Sequence, residues 1–321
     1  MQCSIIIRTF NEERFLRYLL SGLRKQTIHD IEIIVVDSGS TDRTLAIAAE
    51  FGAKIIHISP AEFSFGRSLN LGIQAATREW VLIASAHVFP VFPDWIEKLL
   101  QPFADPMIAL TYGKQRGTGP EFVAAGIPDT TKFSEQEIFN RWFPNIPNDK
   151  QDHPFCNNAN AAIRRSLWEK NKYDESLTGL EDLAWAKHAI ANGYKIAYVP
   201  AAEIIHIHNE TPKGVRNRYK REAMAFKSIY PEAHFNIYDF VRMFLSNSSN
   251  DIWHAVRQKI LLQNLISILW FRYNQFWGTY LGYRQSVVWN WQLRQTFYYP
   301  RGTEEEEKPI RDVDPIRYDD I

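Results

Sequence analysis

The chain is poor in cysteine, with two in 321 residues, Cys3 and Cys156. Two thiols build no disulfide framework, so stability must come from a buried core, and a reducing compartment is the simple expectation. Net charge is missing too: 37 Lys and Arg stand against 37 Asp and Glu, which argues against a dedicated nucleic-acid binder. No uninterrupted apolar run reaches the roughly 18 residues that a membrane span needs. The best candidate, "ILLQNLISILWF", is short and carries Gln263, Asn264 and Ser267. The N-terminal "MQCSIIIRTFNEE" has no basic n-region or cleavage site, so no signal peptide is expected. Neither G-x-G-x-x-G nor G-x-x-x-x-G-K-[ST] occurs, which weakens dinucleotide-redox and NTPase readings.

What is present is a core and a rhythm. The chain is 45% hydrophobic and 14% aromatic. Short apolar runs at 4–10, 31–36, 54–58, 80–84 and 107–113 read as buried strands. Between them, 12–26, a segment N-capped by Ser40 or Thr41 and running to Phe51, 67–77 and 94–103 read as helices. This alternation means βαβ units on a mostly parallel sheet. From residue 113 to 154 the sequence is polar and proline-rich with no clean period, as in a long lid or binding loop. Regularity returns with a helix at 181–193, strands at 195–199 and 202–208, and a basic helix at 212–230.

The last third differs. From Trp253 to Arg301 there is no Asp or Glu, while Arg257, Lys259, Arg272, Arg284, Arg294 and Arg301 alternate with Trp, Tyr and Phe. Such a basic-aromatic segment is expected to lie on a membrane surface, or else to pack onto the rest of the chain. Acid reappears as Glu304–Glu307, in a tail that reads as disordered. The expected division is 1–232 catalytic, 233–301 helical extension and 302–321 acidic tail.

Asp37 ends the second strand just before "SGSTD". A carboxylate there suits a nucleotide's base or ribose, and equally suits an acidic turn. The ordered set "SIIIRTFNEERFL", "EIIVVDSGSTDRT", "FGRSLNLGIQAA", "LIASAHVFPVFPDWIEKLL", "NNANAAIRRSLWE" and "YDESLTGLEDLAWAKHAIANGYKIAYVPAAEIIHIH" resembles family 2 glycosyltransferases of the bacterial surface-polysaccharide type, over roughly residues 3–210. The resemblance implies an α/β GT-A nucleotide-diphospho-sugar transferase fold. It also implies an inverting enzyme that moves a sugar from a nucleoside-diphosphate donor to a glycan or lipid-linked acceptor hydroxyl, in the cytoplasm and in peripheral contact with the inner membrane surface. Carried over by position, Thr9, Asn11 and Glu13 line the nucleotide pocket; Asp37, with Ser40 beside it, binds base or ribose; Arg67 and Asn70 face the donor; Asp182 is the catalytic base.

Direct displacement at an anomeric carbon does need one carboxylate to take the acceptor's proton, and positive charge near the leaving diphosphate. Asp182 stands at a helix start, with Glu181 as the alternative base; the same pair could merely complement the helix dipole. Where the family has Asp-x-Asp holding a divalent metal, this chain has Ser85, Ala86 and His87. A metal, Mn²⁺ or Mg²⁺, would then rest on His87 together with His206 or His208, and imidazole suits Mn²⁺ better than Mg²⁺. His87 touching the diphosphate directly, or only capping a loop, are the other readings. A nucleotidyltransferase of similar fold and a nucleotide-sugar-binding pseudoenzyme are the rival functions. The first lacks its basic Gly-rich phosphate loop, and the second is opposed by the intact Asp37, Asn70 and Asp182.

Overall fold

In β1 (Cys3–Thr9), Cys3, Ile5 and Ile7 sink into one hydrophobic cluster while Ile6 enters another on the opposite face. That two-sided burial is the mark of a central strand covered by helices on both sides. A computed structural model describes residues 2–119, 122–123, 126–127, 130–142, 148–284 and 313–318, with backbone alone at 141–142 and 149–150. β1 pairs in parallel with β2 (Ile31–Asp37) and β4 (Trp80–Ser85), and β3 (Lys54–His57) lies beyond β2. The sheet then continues from β4 through β8 (Asn160–Arg164), β6 (Ile108–Arg116) and β9 (Lys195–His206) to β5 (Val88–Pro90). β8 runs antiparallel to β4 and β6, and β6 runs parallel to β9.

The helices α1 (Leu16–Arg24), α2 (Thr44–Glu50), α3 (Phe65–Ala75) and α4 (Trp95–Leu100) fall where the periodicity predicts them. Neither Ser40 nor Thr41 caps α2. The Ser40 hydroxyl turns back onto Asp37, and Asp42 accepts from Thr44 N instead. The stretch expected to be one long loop holds the end of β6, α5 (Phe133–Trp142) and β7 (Asn148–Gln151), which pairs with β9. Its helix escapes a periodicity reading because Ser134, Glu135 and Glu137 are buried beside Phe133, Ile138 and Phe139. The two strands expected at 195–208 are one, β9, running through Pro200. The proline has no N–H for the ladder, and the β6–β9 register shifts between Gly113 and Gln115 at that level.

After α6 (Arg165–Lys170) and α7 (Glu181–Ala191), the chain forms α8 (Pro212–Ile229), α9 (Ile237–Arg257) and α10 (Leu261–Tyr283). Helices α8 and α10 touch closely: a Cβ on Gly278 would lie 2.3 Å from the Arg216 carbonyl oxygen. Of the aromatics expected to face a bilayer, Phe271, Phe276 and Tyr283 are buried in this packing, and Trp270, Trp277 and Tyr280 are half-buried. Trp289 and Trp291 lie outside the described residues, as do Glu304–Glu307. Further along the predicted tail, residues 313–318 pack on the domain: Ile316 N donates to Val91 O and Tyr318 Oη to Pro90 O.

Candidate active site

Ser85 ends β4, and the chain turns through Ala86 and His87 into β5, whose Val88 pairs with His206 of β9. That register carries His87 to the end of β9. Ring centroids lie 5.1 Å apart for His87–His206, 5.5 Å for His87–His208 and 4.2 Å for His206–His208. One nitrogen from each ring falls within 4.8 Å of the others. Each ring is held through Nδ1: that of His87 by Glu12 at 2.8 Å, of His206 by Gln115 at 2.6 Å, and of His208 by Glu135 at 2.6 Å. Burial, with His208, His87 and Arg218 nearby, pushes His206 well below the ordinary histidine range, so it is a neutral imidazole. Burial alone would raise the Glu135 carboxyl; His208 and Arg218 outweigh that and hold it at about 2.

The carboxylate pair lines the same cavity as the histidines. Leu180 sits in left-handed backbone (φ 55), a conformation costly for a residue of its size, and turns the chain so that α7 opens with Glu181 and Asp182. Glu181 Oε1 accepts from Arg8 Nη1 at 3.0 Å and Asn158 Nδ2 at 3.2 Å. Asp182 accepts from the backbone N–H of Asn158 (2.9 Å) and of Leu183 (2.8 Å). Those donors favour its charged form, but burial and the neighbouring Glu181 carboxylate prevail and raise its pKa to about 7. Arg8 and Arg221 lie over the Phe65 ring, at 5.0 and 4.5 Å. Arg218 is tied between Glu135 and Glu210.

A cavity of about 580 Å³ is lined by the three histidines, Glu181, Asp182, Arg8, Ser85 and Arg221. A second, of about 410 Å³, is lined by Thr9, Phe10, Ser38, Phe63 and Ala86. Arg8, Glu12, Phe65, Ser85 and His87 line both, so the two are joined.

Six residues expected in the site line neither cavity. The Asn70 amide is spent on the scaffold: Oδ1 accepts from Trp168 Nε1 and Tyr173 N, and Nδ2 donates to Tyr173 O and Glu175 Oε1. It therefore has no group left for a donor. Arg67 is half-exposed and pairs with Glu62 and Glu175. Asp37, 1% exposed, accepts from Thr9 Oγ1, Ser40 Oγ, Gly39 N and Ser40 N, so its carboxylate shapes the turn beneath the second cavity. Asn11, Glu13 and Ser40 clasp the β1–α1 loop to that turn: Ser40 Oγ accepts from Asn11 N, Asn11 Oδ1 from Thr41 N and Glu13 Oε2 from Arg43 N. Conversely, the sequence reading passed over Arg8, Glu12, Gln115, Glu135, Arg218 and Arg221. Arg8 had a signal, a charge inside a strand's apolar run; Gln115 and Glu135 had none.

A half-parallel sheet of this order, with an acid pair at a helix start lining the cavity beside it, is the GT-A fold. The same architecture occurs in a mannosyltransferase from Pyrobaculum calidifontis, solved with GDP-Man and Mn²⁺ (TM-score 0.56, 16% identity, 92% of this chain and 87% of that one). Residues 4–171 match the family described as Glycosyl transferase family 2, and the chain belongs to that family. Its curated relatives include the O-antigen chain rhamnosyltransferases RfbN of Salmonella typhimurium (29% identity, 68% of this chain and 70% of that protein) and WbaN of Salmonella anatum (31%, 62% and 63%).

Proposed function

We propose that this glycosyltransferase carries a rhamnosyl-type sugar from a nucleoside-diphosphate donor to a hydroxyl of a glycan or lipid-linked acceptor, with inversion, in surface-polysaccharide synthesis. The observation that carries the reading is one cavity lined by a buried carboxylate, Asp182, by three imidazoles and by the guanidinium groups of Arg8 and Arg221. The second cavity takes the nucleoside, its base against Phe10 and Phe63 and its ribose near Thr9 and Ser38. Phe139 and Phe155 offer an apolar wall for the methyl group of a 6-deoxy sugar.

On this reading Asp182 accepts the acceptor's proton as its oxygen bonds to the anomeric carbon, and the bond to the diphosphate breaks on the far side. Arg8 and Arg221 meet the charge on the departing group. Glu181 holds Arg8 in place and keeps Asp182 basic. His87, His206 and His208 fit a divalent ion in their donor chemistry, and such an ion, when bound, would neutralise the diphosphate.

Residues 1–232 are the catalytic part on this reading, and 233–301 an extension that works at the cytoplasmic face of the inner membrane. No helix among the described residues is long and apolar enough to cross a membrane. Support for surface contact comes from the exposed Val241, Leu245, Trp253, Val256, Leu262, Ile266 and Leu269, with Arg257 exposed at the end of α9 and Lys259 in the turn between α9 and α10. The test is turnover of a panel of nucleotide sugars, including a deoxyhexose donor, with lipid-linked acceptor, with and without metal. Failure of every donor to turn over would reject the reading.

A further inference from the structure

Every cavity histidine spends its Nδ1 on a side chain that can only accept there. Glu12 and Glu135 are carboxylates. Gln115 is forced into the same role: Asn157 Oδ1 already accepts from Ala159 N, so the Gln115 amide nitrogen turns to Asn157 and its carbonyl faces His206. In the neutral form of each ring the proton therefore sits on Nδ1, which leaves the Nε2 lone pair for an ion. His206 Nε2 is buried, in a residue 6% exposed, and has no hydrogen-bond partner among the described residues. An orphaned buried acceptor in a ring 4.2 and 5.1 Å from two other imidazoles is costly unless an electrophile satisfies it.

We propose that His87, His206 and His208 form a preformed all-imidazole centre for a first-row transition ion, in which Glu12, Gln115 and Glu135 are positioning residues that aim each Nε2 at the ion. The ion's part in sugar transfer rests on the donor-site reading above; the coordination itself does not. An imidazole held through its other nitrogen by an oxygen acceptor is the usual outer shell of a metal-bound histidine. Three nitrogen donors favour Co²⁺, Zn²⁺ or Fe²⁺ and disfavour Mg²⁺, which prefers oxygen. The neighbouring group of Glu135, His208 and Glu210 is a weaker candidate, because Arg218 lies between its two carboxylates.

The centre is tested on the metal-free, full-length protein with no nucleotide present. Titration with Co²⁺, followed by visible absorption, should show one ion per chain, and a large excess of Mg²⁺ should fail to displace it. Glu12→Ala removes only a half-exposed loop carboxylate. It should weaken Co²⁺ binding by about 10- to 100-fold while leaving the metal-free melting temperature unchanged, and Glu12→Gln, whose carbonyl still accepts, should restore most of the affinity. Gln115→Leu should weaken it similarly, and His87→Ala should weaken it further. Co²⁺ binding that requires the donor, yields to Mg²⁺, or ignores both Glu12→Ala and His87→Ala would overturn the proposal. Calorimetry with nucleoside diphosphate separates the two readings. Nucleotide binding without a Co²⁺ site rejects the centre alone, whereas a Co²⁺ site in a protein that binds no nucleotide rejects the donor site alone.

Discussion

Asp182 shows how one carboxyl is tuned by its surroundings. At the start of α7 it receives two backbone N–H bonds, yet burial and Glu181 raise it to about 7. A base must be ionised to act, so transfer should fall as pH drops through about 7, on an acid limb well above that of a free aspartate. Glu181→Gln removes the neighbouring negative charge and should move that limb to lower pH, read from kcat/KM profiles. Asp182→Asn should cost about 10²–10⁴ in turnover with nucleoside-diphosphate binding retained, checked by product formation beside calorimetry. Asp37 lines neither cavity. Asp37→Ala leaves Thr9 Oγ1 and the Gly39 and Ser40 N–H groups without their acceptor. It should weaken nucleotide affinity by about 1–3 kcal/mol and change the chemical step less.

Helix α10 turns its two sides to different partners. Phe271, Phe276 and Tyr283 face the domain, while Leu262 and Ile266 are 94% and 80% exposed. The large aromatics therefore bury against α8, and the exposed face is mainly aliphatic. Full-length protein should sediment with anionic liposomes at low salt. The double variant Leu262→Glu and Ile266→Glu should stay in the supernatant at an unchanged melting temperature; equal sedimentation of the two would remove the membrane contact. Helix α5 carries the opposite lesson. Its buried Ser134, Glu135 and Glu137 erase the apolar stripe by which a helix is read, though Glu135 is the residue that reaches His208.

One buried contact joins the C-terminal helices to the site. Arg272, 1% exposed, binds both carboxylate oxygens of Asp251 and donates to Gln275 Oε1 and Ser134 O, the residue next to Glu135. Arg272→Ala takes the guanidinium away from a buried carboxylate and should cost about 3–5 kcal/mol in urea unfolding. The pair Arg272→Met with Asp251→Leu should recover much of that loss, because it removes both buried charges together. The extension thus braces α5, and through it the wall of the cavity.

The parallel strands, their flanking helices, the acid pair at 181–182 and the histidines at 87, 206 and 208 were legible in the chain itself. The strands and helices are local patterns of period two or 3.6, whereas the acid pair and the histidines stood out through the family resemblance and their place at a helix start or strand end. Partnership was not legible. Asn70 and Arg67 could have faced a donor, and only the fold turns them to residues 168–175 and to Glu62. Glu12, Gln115 and Glu135 come from a loop, a strand and a helix far apart in sequence, and meet three imidazoles because β5 pairs with β9 in one register. A polar side chain has the same local preferences whatever it will bond, so its partner is decided only when long-range packing closes the cavity around it.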